Sequence, residues 1–173
     1  MIVTDRLILR ELTCADAPFI LALLSDDDFH RYIGDRGVRT LADAEHYIQQ
    51  GPAVSYAHHG HGLYLVARRS DGAKLGICGL IRRDSLPCED IGYAFLPAYR
   101  GQGYAIEAAQ AALRDGRERL GIARVIAIVT PGNTRSVALL AKLGLVQSRL
   151  VKLSEDADAC LLLEAAGAET TLV

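Results

Sequence analysis

Asp90-Ile-Gly-Tyr-Ala-Phe-Leu-Pro-Ala-Tyr-Arg-Gly-Gln-Gly-Tyr-Ala105 is the stretch that decides the fold. It reads as a short apolar strand, a break at Pro97, a glycine-rich turn and the start of a long helix. A glycine-rich turn ending at a helix N-terminus presents free backbone N–H groups, and the helix dipole adds positive potential. Such a place binds phosphate. Gly101-x-Gly103 begins a dinucleotide fingerprint, but Ile106 occupies the third glycine position and no acid closes the following strand to hold a ribose. No Gly-Lys-Ser/Thr run is present for a nucleoside-triphosphate loop. Taken alone, Gly101 and Gly103 are equally accounted for by a tight turn without a ligand.

Outward from this stretch the elements follow one another closely. The helix runs from about Tyr104 to Leu120, with Ile106, Ala109, Leu113, Gly116 and Leu120 on one apolar face, and Gly121 ends it. Arg124–Val129 has the β-branched character of a buried strand. Pro131-Gly132 turns the chain, Asn133 caps a helix through Leu143, and Gly144 stops it. Leu145–Leu153 and Ala159–Leu163 read as a closing hairpin. Upstream, Gly62–Arg69, Lys74–Arg83 and Glu89–Leu96 are strand-like runs joined by short turns, which makes them antiparallel neighbours. Residues 6–12 alternate as a first strand. Thr13 and Asp16 open a helix bearing Phe19, Ile20, Leu23 and Leu24, stopped by Ser25-Asp-Asp-Asp28. A second helix starts at Thr40, with Asp43 three residues on, and ends at Gly51-Pro52. The order is β-α-α-β-β-β-α-β-α-β-β. The β-α-β step across the glycine turn is parallel and right-handed within a largely antiparallel sheet, an α/β (α+β) arrangement.

Composition bounds the function. The chain has 173 residues, half of them hydrophobic, without repeat or linker, so one domain over 1–173 is expected. A net charge of −2 argues against a nucleic-acid binder. The N-terminus is not a signal peptide and no apolar run reaches membrane-spanning length, so a cytoplasmic protein with no membrane partner is expected. The four cysteines form no Cys-x-x-Cys pair and are expected to be reduced, although Cys78 and Cys88 flank a hairpin and could face each other. His58-His59-Gly-His61 lacks a second ligand cluster. It is expected to be a hydrated loop beside the acceptor site, and no metal is expected. Asp26-Asp-Asp28 reads as a solvated helix stop, or alternatively as an attractor for a cationic amine.

Four ordered matches carry a resemblance. They are Thr4-Asp-Arg-Leu-Ile-Leu-Arg10, Lys74-Leu-Gly-Ile-Cys-Gly79, Arg100-Gly-Gln-Gly-Tyr-Ala105, and Asn133-Thr-Arg-Ser136 followed by Lys142-Leu-Gly144. Together they resemble the GNAT superfamily of acyl-CoA-dependent N-acetyltransferases over nearly the whole chain. The subgroup they resemble is that of the Rim-type ribosomal-protein N-terminal acetyltransferases and their relatives. The sequence departs from that pattern in having no tryptophan, Ala94 after Gly-Tyr, Leu145 after Lys-Leu-Gly, and Asp90 where glutamate is commoner.

The resemblance implies a mixed, mostly antiparallel sheet with a central parallel, splayed strand pair flanked by helices. It implies acetyl-CoA as cosubstrate and a primary amine, a peptide N-terminus or a small molecule, as acceptor in direct attack, the protein being a monomer or homodimer. The cofactor would contact Ala94, Phe95, Leu96, Arg100, Gly101, Gln102, Gly103, Tyr104, Ala105 and Asn133. The amides of residues 101–106 would hold the pyrophosphate, with Arg100 adding charge at the edge, and Phe95 or Leu96 would offer an N–H to the thioester oxygen. Asp90 would be the base and Ser136 the donor to the departing thiolate. Each has a plainer account. Ala94, Phe95 and Leu96 are core strand residues, Asn133 is an N-cap, Ser136 an early-helix serine, and Asp90 a solvated strand-end charge. By alternation, Tyr93 faces the side opposite Asp90. A non-catalytic acyl-CoA-binding module with the same fold is the alternative.

Overall fold

The computed structural model describes residues 1–155 and 157–166; Asp156 and residues 167–173, part of the expected 1–173 unit, lie outside the described residues. The chain opens with strands β1 (Ile2–Val3) and β2 (Leu7–Arg10), paired antiparallel. Leu7 and Leu9 are fully buried while Ile8 and Arg10 are not, the period-two signature of a half-buried strand. A 3-10 turn over Cys14–Asp16 leads into α1 (Ala17–Leu24). Asp16 goes beyond capping. Its buried carboxylate accepts from the Thr13 N–H at 3.0 Å, from Arg10 through two bonds of 2.8 Å, and from Lys74 Nζ at 2.6 Å. One acid thereby ties β2, the first helix and the head of the fourth strand.

Asp26-Asp-Asp28 does not simply stop a helix. Asp26 caps the next one, accepting from the Phe29 N–H at 3.2 Å, and α2 (Asp27–Tyr32) carries the other two acids in its first turn, where the dipole favours them. Next, α3 (Leu41–Gln50) starts in the expected Thr40–Asp43 capping box. Pro52, read as part of a terminator, sits in the first turn of a further helix, α4 (Pro52–His59), where its missing N–H costs nothing. The histidine run is therefore not a hydrated loop. His58 and His59 close α4, and His61 is buried with Nδ1 3.0 Å from the Leu80 carbonyl oxygen.

Strands β3 (Leu63–Arg68), β4 (Lys74–Ile81) and β5 (Glu89–Phe95) are antiparallel neighbours. Cys78 lies opposite Tyr93 in this ladder, not opposite Cys88, and the cysteines are free. The long helix α5 (Tyr104–Leu120) has the expected bounds, but its buried line is Tyr104, Ala108, Ala109, Ala111, Ala112 and Gly116. Ile106, Leu113 and Leu120 are only partly buried. Small side chains bring the helix close to the sheet, so they, not the bulkier apolar residues, form the contact face. Then come β6 (Val125–Val129), α6 (Thr134–Lys142), β7 (Leu145–Val151) and β8 (Cys160–Ala165).

The eight strands form one sheet in the order β1-β2-β3-β4-β5-β6-β8-β7, with β5–β6 its parallel pair. One face packs on α1 and α3 through Leu65 and Ile77; the other packs on α5 and α6 through Val66, Leu80, Ile91 and Phe95. Among the described residues no helix is long and apolar enough to cross a membrane.

Candidate active site

The parallel pair is short. β5 meets β6 at Glu89–Val125 and Asp90–Ile126, and beyond that the two strands part. On its other side β5 stays in register with β4, and the Leu96 N–H donates to the Leu75 carbonyl at 2.9 Å. Antiparallel ladders alternate, so the N–H groups of Leu96 and Ala94 turn toward β4, while those of Tyr93 and Phe95 turn into the gap. The two residues expected to face a thioester oxygen therefore differ in where their N–H groups point. The Leu96 N–H is occupied; the Phe95 N–H points the right way, and the Tyr93 N–H joins it.

The gap leads to the glycine turn. Gly101 and Gly103 have φ of 74° and 80°, the left-handed region where a side chain is strained. Gly103 caps α5, and the first bond back to the cap is from the Glu107 N–H to its carbonyl at 3.2 Å. The N–H groups of Tyr104, Ala105 and Ile106 precede that bond and have no helical acceptor. Arg6 secures the turn from outside. It donates to the Gln102 carbonyl at 3.0 Å, lies 4.6 Å above the Tyr104 ring, and pairs with Glu107 at 2.6 Å. The Gln102 side chain donates to the Ala98 carbonyl at 2.8 Å, bracing the turn from within.

Arg100, expected at the edge of a phosphate site, is held by partners within the fold. Its guanidinium pairs with Asp26, with Asp28 at 2.6 Å, and with the Phe95 carbonyl at 2.8 Å. Asp26 and Asp28 thus have a guanidinium partner within the fold. They lock α2 against the end of β5.

A cleft of about 980 Å³ runs across the gap. Asp90, Ala94, Phe95, Arg100, Gly101, Gly103, Tyr104, Ala105, Asn133 and Ser136 all line it; Leu96 and Gln102 do not. Asn133 caps α6 by accepting from the Ser136 N–H at 3.2 Å. The Ser136 hydroxyl lies 2.8 Å from that of Tyr93, joining β5 to α6 across the cleft. Burial pushes the Tyr93 hydroxyl up to about 12, against the opposing bond to Ser136.

Asp90 is not a solvated strand-end charge. It is 2% exposed and pairs with Arg83 through Nε at 2.7 Å. Burial raises its pKa above the ordinary carboxylate value, and the Arg83 guanidinium pulls it back. Its ladder partner is Ile81, on the face of the sheet that packs α1 and α3, so Tyr93 and Asp90 do lie on opposite faces. Tyr93, Arg83 and Arg6 were absent from the expected site. Strand alternation already aimed Tyr93 away from Asp90, whereas nothing local marks the two arginines.

Comparison with known proteins agrees with this geometry. The model of the acetyltransferase (GNAT) domain matches residues 6–146. The chain is 32% identical over 142 residues to the uncharacterized N-acetyltransferase YoaA of Bacillus subtilis (strain 168), covering 82% of this chain and 80% of that one. An acetyltransferase structure from Agrobacterium tumefaciens str. C58 superposes with a TM-score of 0.76 at 25% identity, covering 94% of this chain and 91% of that one. RimL, a ribosomal L7/L12 alpha-N-protein acetyltransferase solved in complex with coenzyme A, shares the fold with a TM-score of 0.80 at 16% identity, covering 94% of each chain. The open strand edge, the glycine turn at a helix N-terminus and the matched domain model together place this chain in the GNAT acetyltransferase family.

Proposed function

We propose that the chain moves the acetyl group of acetyl-CoA to a primary amine, on a small molecule or a peptide N-terminus, by direct attack in a ternary complex. We also propose that it groups with the Rim-type enzymes and their relatives. The observation that carries this reading is the gap between β5 and β6, with the N–H groups of Tyr93 and Phe95 facing it and the Gly101–Gly103 turn at its end. An amide-bearing pantetheine arm fits that edge as an added strand, and a pyrophosphate fits the amides of residues 101–106.

Acetyl-CoA supplies the activated carbonyl. An N–H in the gap stabilises negative charge on the thioester oxygen as the amine attacks, worth about 3 kcal/mol in comparable sites. An α-amino group has a pKa of about 8 and lysine about 10, so the base need only be well placed. Asp90 takes the proton as the C–N bond forms and the C–S bond breaks. Tyr93 and Ser136 face the departing sulfur. A thiol has a pKa of about 8.5, far below that of the Tyr93 phenol, so this pair gives the thiolate a hydrogen bond and keeps its protons.

Thermal stabilisation by coenzyme A but not by NAD or ATP, followed by coenzyme A release in the presence of an amine panel, tests the reading. No shift at saturating coenzyme A overturns it. Asp90→Asn lowers turnover and flattens its pH dependence while cofactor affinity holds; rates unchanged across pH remove Asp90 from the mechanism.

A further inference from the structure

One wall of the cleft is built by α2, the segment after it, Tyr47 of α3, and the ends of β4 and β8. Its charges do not balance. Asp28 is taken by Arg100, and Asp90 by Arg83. Arg39, nearby, is matched by Asp35. Arg31 and Arg36 also line the cleft, and among the described residues neither has a carboxylate within ion-pair distance.

The wall is tied to the sheet beside Arg31. The Tyr32 carbonyl, beside Arg31, accepts from Thr130 Oγ1 at 2.8 Å, which pins the end of α2 to the end of β6. Burial raises the Tyr47 hydroxyl, and the positive charge of the Arg36 and Arg83 guanidiniums opposes it. Arg31 and Arg36 thus leave two guanidiniums at this wall open to an anion, and a guanidinium fork suits a carboxylate or phosphate.

We propose that the acceptor is a small amine carrying its own anionic group, a carboxylate or a phosphate, with Arg31 and Arg36 taking the anion and Asp90 the amine. This rests on the acetyl-transfer reading and narrows it. The amine lies toward the gap, and the anion lies at the α2 wall. Selection comes from two opposed charges on one short ligand. An acceptor that lacks the anion forgoes both charge-assisted contacts, and an acceptor with several ammonium groups meets like charge.

The test is an acceptor panel of leucine, glutamate, 2-aminoethyl phosphate, leucinamide, spermidine and a short neutral peptide, read as kcat/KM, with calorimetric binding to the coenzyme A complex alongside. Leucine against leucinamide isolates the carboxylate, and 2-aminoethyl phosphate reports on phosphate. At least one anionic amine is expected to exceed leucinamide and spermidine by about tenfold or more, the scale of a charge-assisted contact. In the Arg31→Gln/Arg36→Gln variant that preference falls by about the same factor through KM, while coenzyme A affinity holds. Preference for spermidine, leucinamide or the peptide overturns the proposal, as does a double variant that keeps the preference. If coenzyme A binds but no amine is acetylated, the acetyl-transfer reading fails. Calorimetry still decides the anion site: binding of an anionic amine that the double variant loses supports it, and no such binding overturns it.

Discussion

Gly101→Ala isolates the conformational demand of the turn from any steric one. Gly101 has a φ of 74°, and a Cβ built there meets nothing within 4 Å. The methyl group therefore adds no clash, only the strain of holding an L-residue in the left-handed region, about 1–2 kcal/mol. How that strain is divided depends on whether the turn can relax. In the free protein, Arg6 on the Gln102 carbonyl and Gln102 on the Ala98 carbonyl oppose relaxation. With coenzyme A bound, the N–H groups of the turn must point at the pyrophosphate, and the left-handed conformation is enforced. The saturated complex then loses the full 1–2 kcal/mol, a fall in Tm of about 2–8 °C for a chain of this size. Whatever part the free protein escapes by relaxing appears as weaker binding, at most about 5- to 30-fold in Kd. Gly101→Asn recovers much of both losses, because asparagine tolerates this region. The assay is a pair of thermal melts, with and without saturating coenzyme A, and a calorimetric Kd. A coenzyme A complex of Gly101→Ala that melts with the wild-type complex refutes the reasoning, since the ligand would not then be fixing the turn.

Asp16→Asn leaves Arg10 and Lys74 without their anion and costs about 3 kcal/mol in denaturant melts, held to the low end because both cations reach solvent. Burial pushes Asp16 up, but the bonds from Arg10, Lys74 and the Thr13 N–H outweigh it and hold its pKa well below the ordinary 3.8. Its contribution is therefore complete above that value and lost as pH falls below it, so the wild type's stability declines below about pH 4 and the variant's declines less. Tyr93→Phe and Ser136→Ala each lower kcat by about tenfold, and the double variant loses little more, because the hydroxyls act as one pair; additive losses would show independent roles. Arg100→Gln destabilises by about 2 kcal/mol and leaves the salt dependence of coenzyme A binding unchanged, whereas a phosphate-contacting arginine would make it shallower.

The parts legible in the sequence are those whose causes are local. The ends of α5 were readable because Gly103 and Gly121 both sit at positive φ, where glycine is the default residue. The order of the sheet was readable because short turns leave little choice of neighbour. Short helices were not: three acids at 26–28 fit a helix stop and an N-cap equally well, and only the packing of Phe29 selects the cap. Pro52 likewise ends one helix and starts another. The choice between Phe95 and Leu96 needed the register of β5 on β4, which side-chain pattern alone does not carry. The motif puts Arg100 at the edge of a phosphate site, and nothing local announces its ion pairs with acids more than seventy residues away in sequence.

Those ion pairs change how the site holds together. Arg100 bonds the Phe95 carbonyl on one side and the α2 acids on the other. The edge that faces the gap and the helix that carries Arg31 are thus positioned by one guanidinium. Thr130 makes a second tie, from the end of β6 to the end of α2. With these two ties, α2 spans both strands of the splayed pair, so the width of the gap and the position of the Arg31 wall are set together. A strand pair that has given up its own ladder hydrogen bonds needs such a strap, because nothing in the sheet itself fixes how far the strands part. The acids at 26–28 answer to that need. Asp26 and Asp28 face a guanidinium at the end of β5, and their helix walls the cleft that β5 and β6 open.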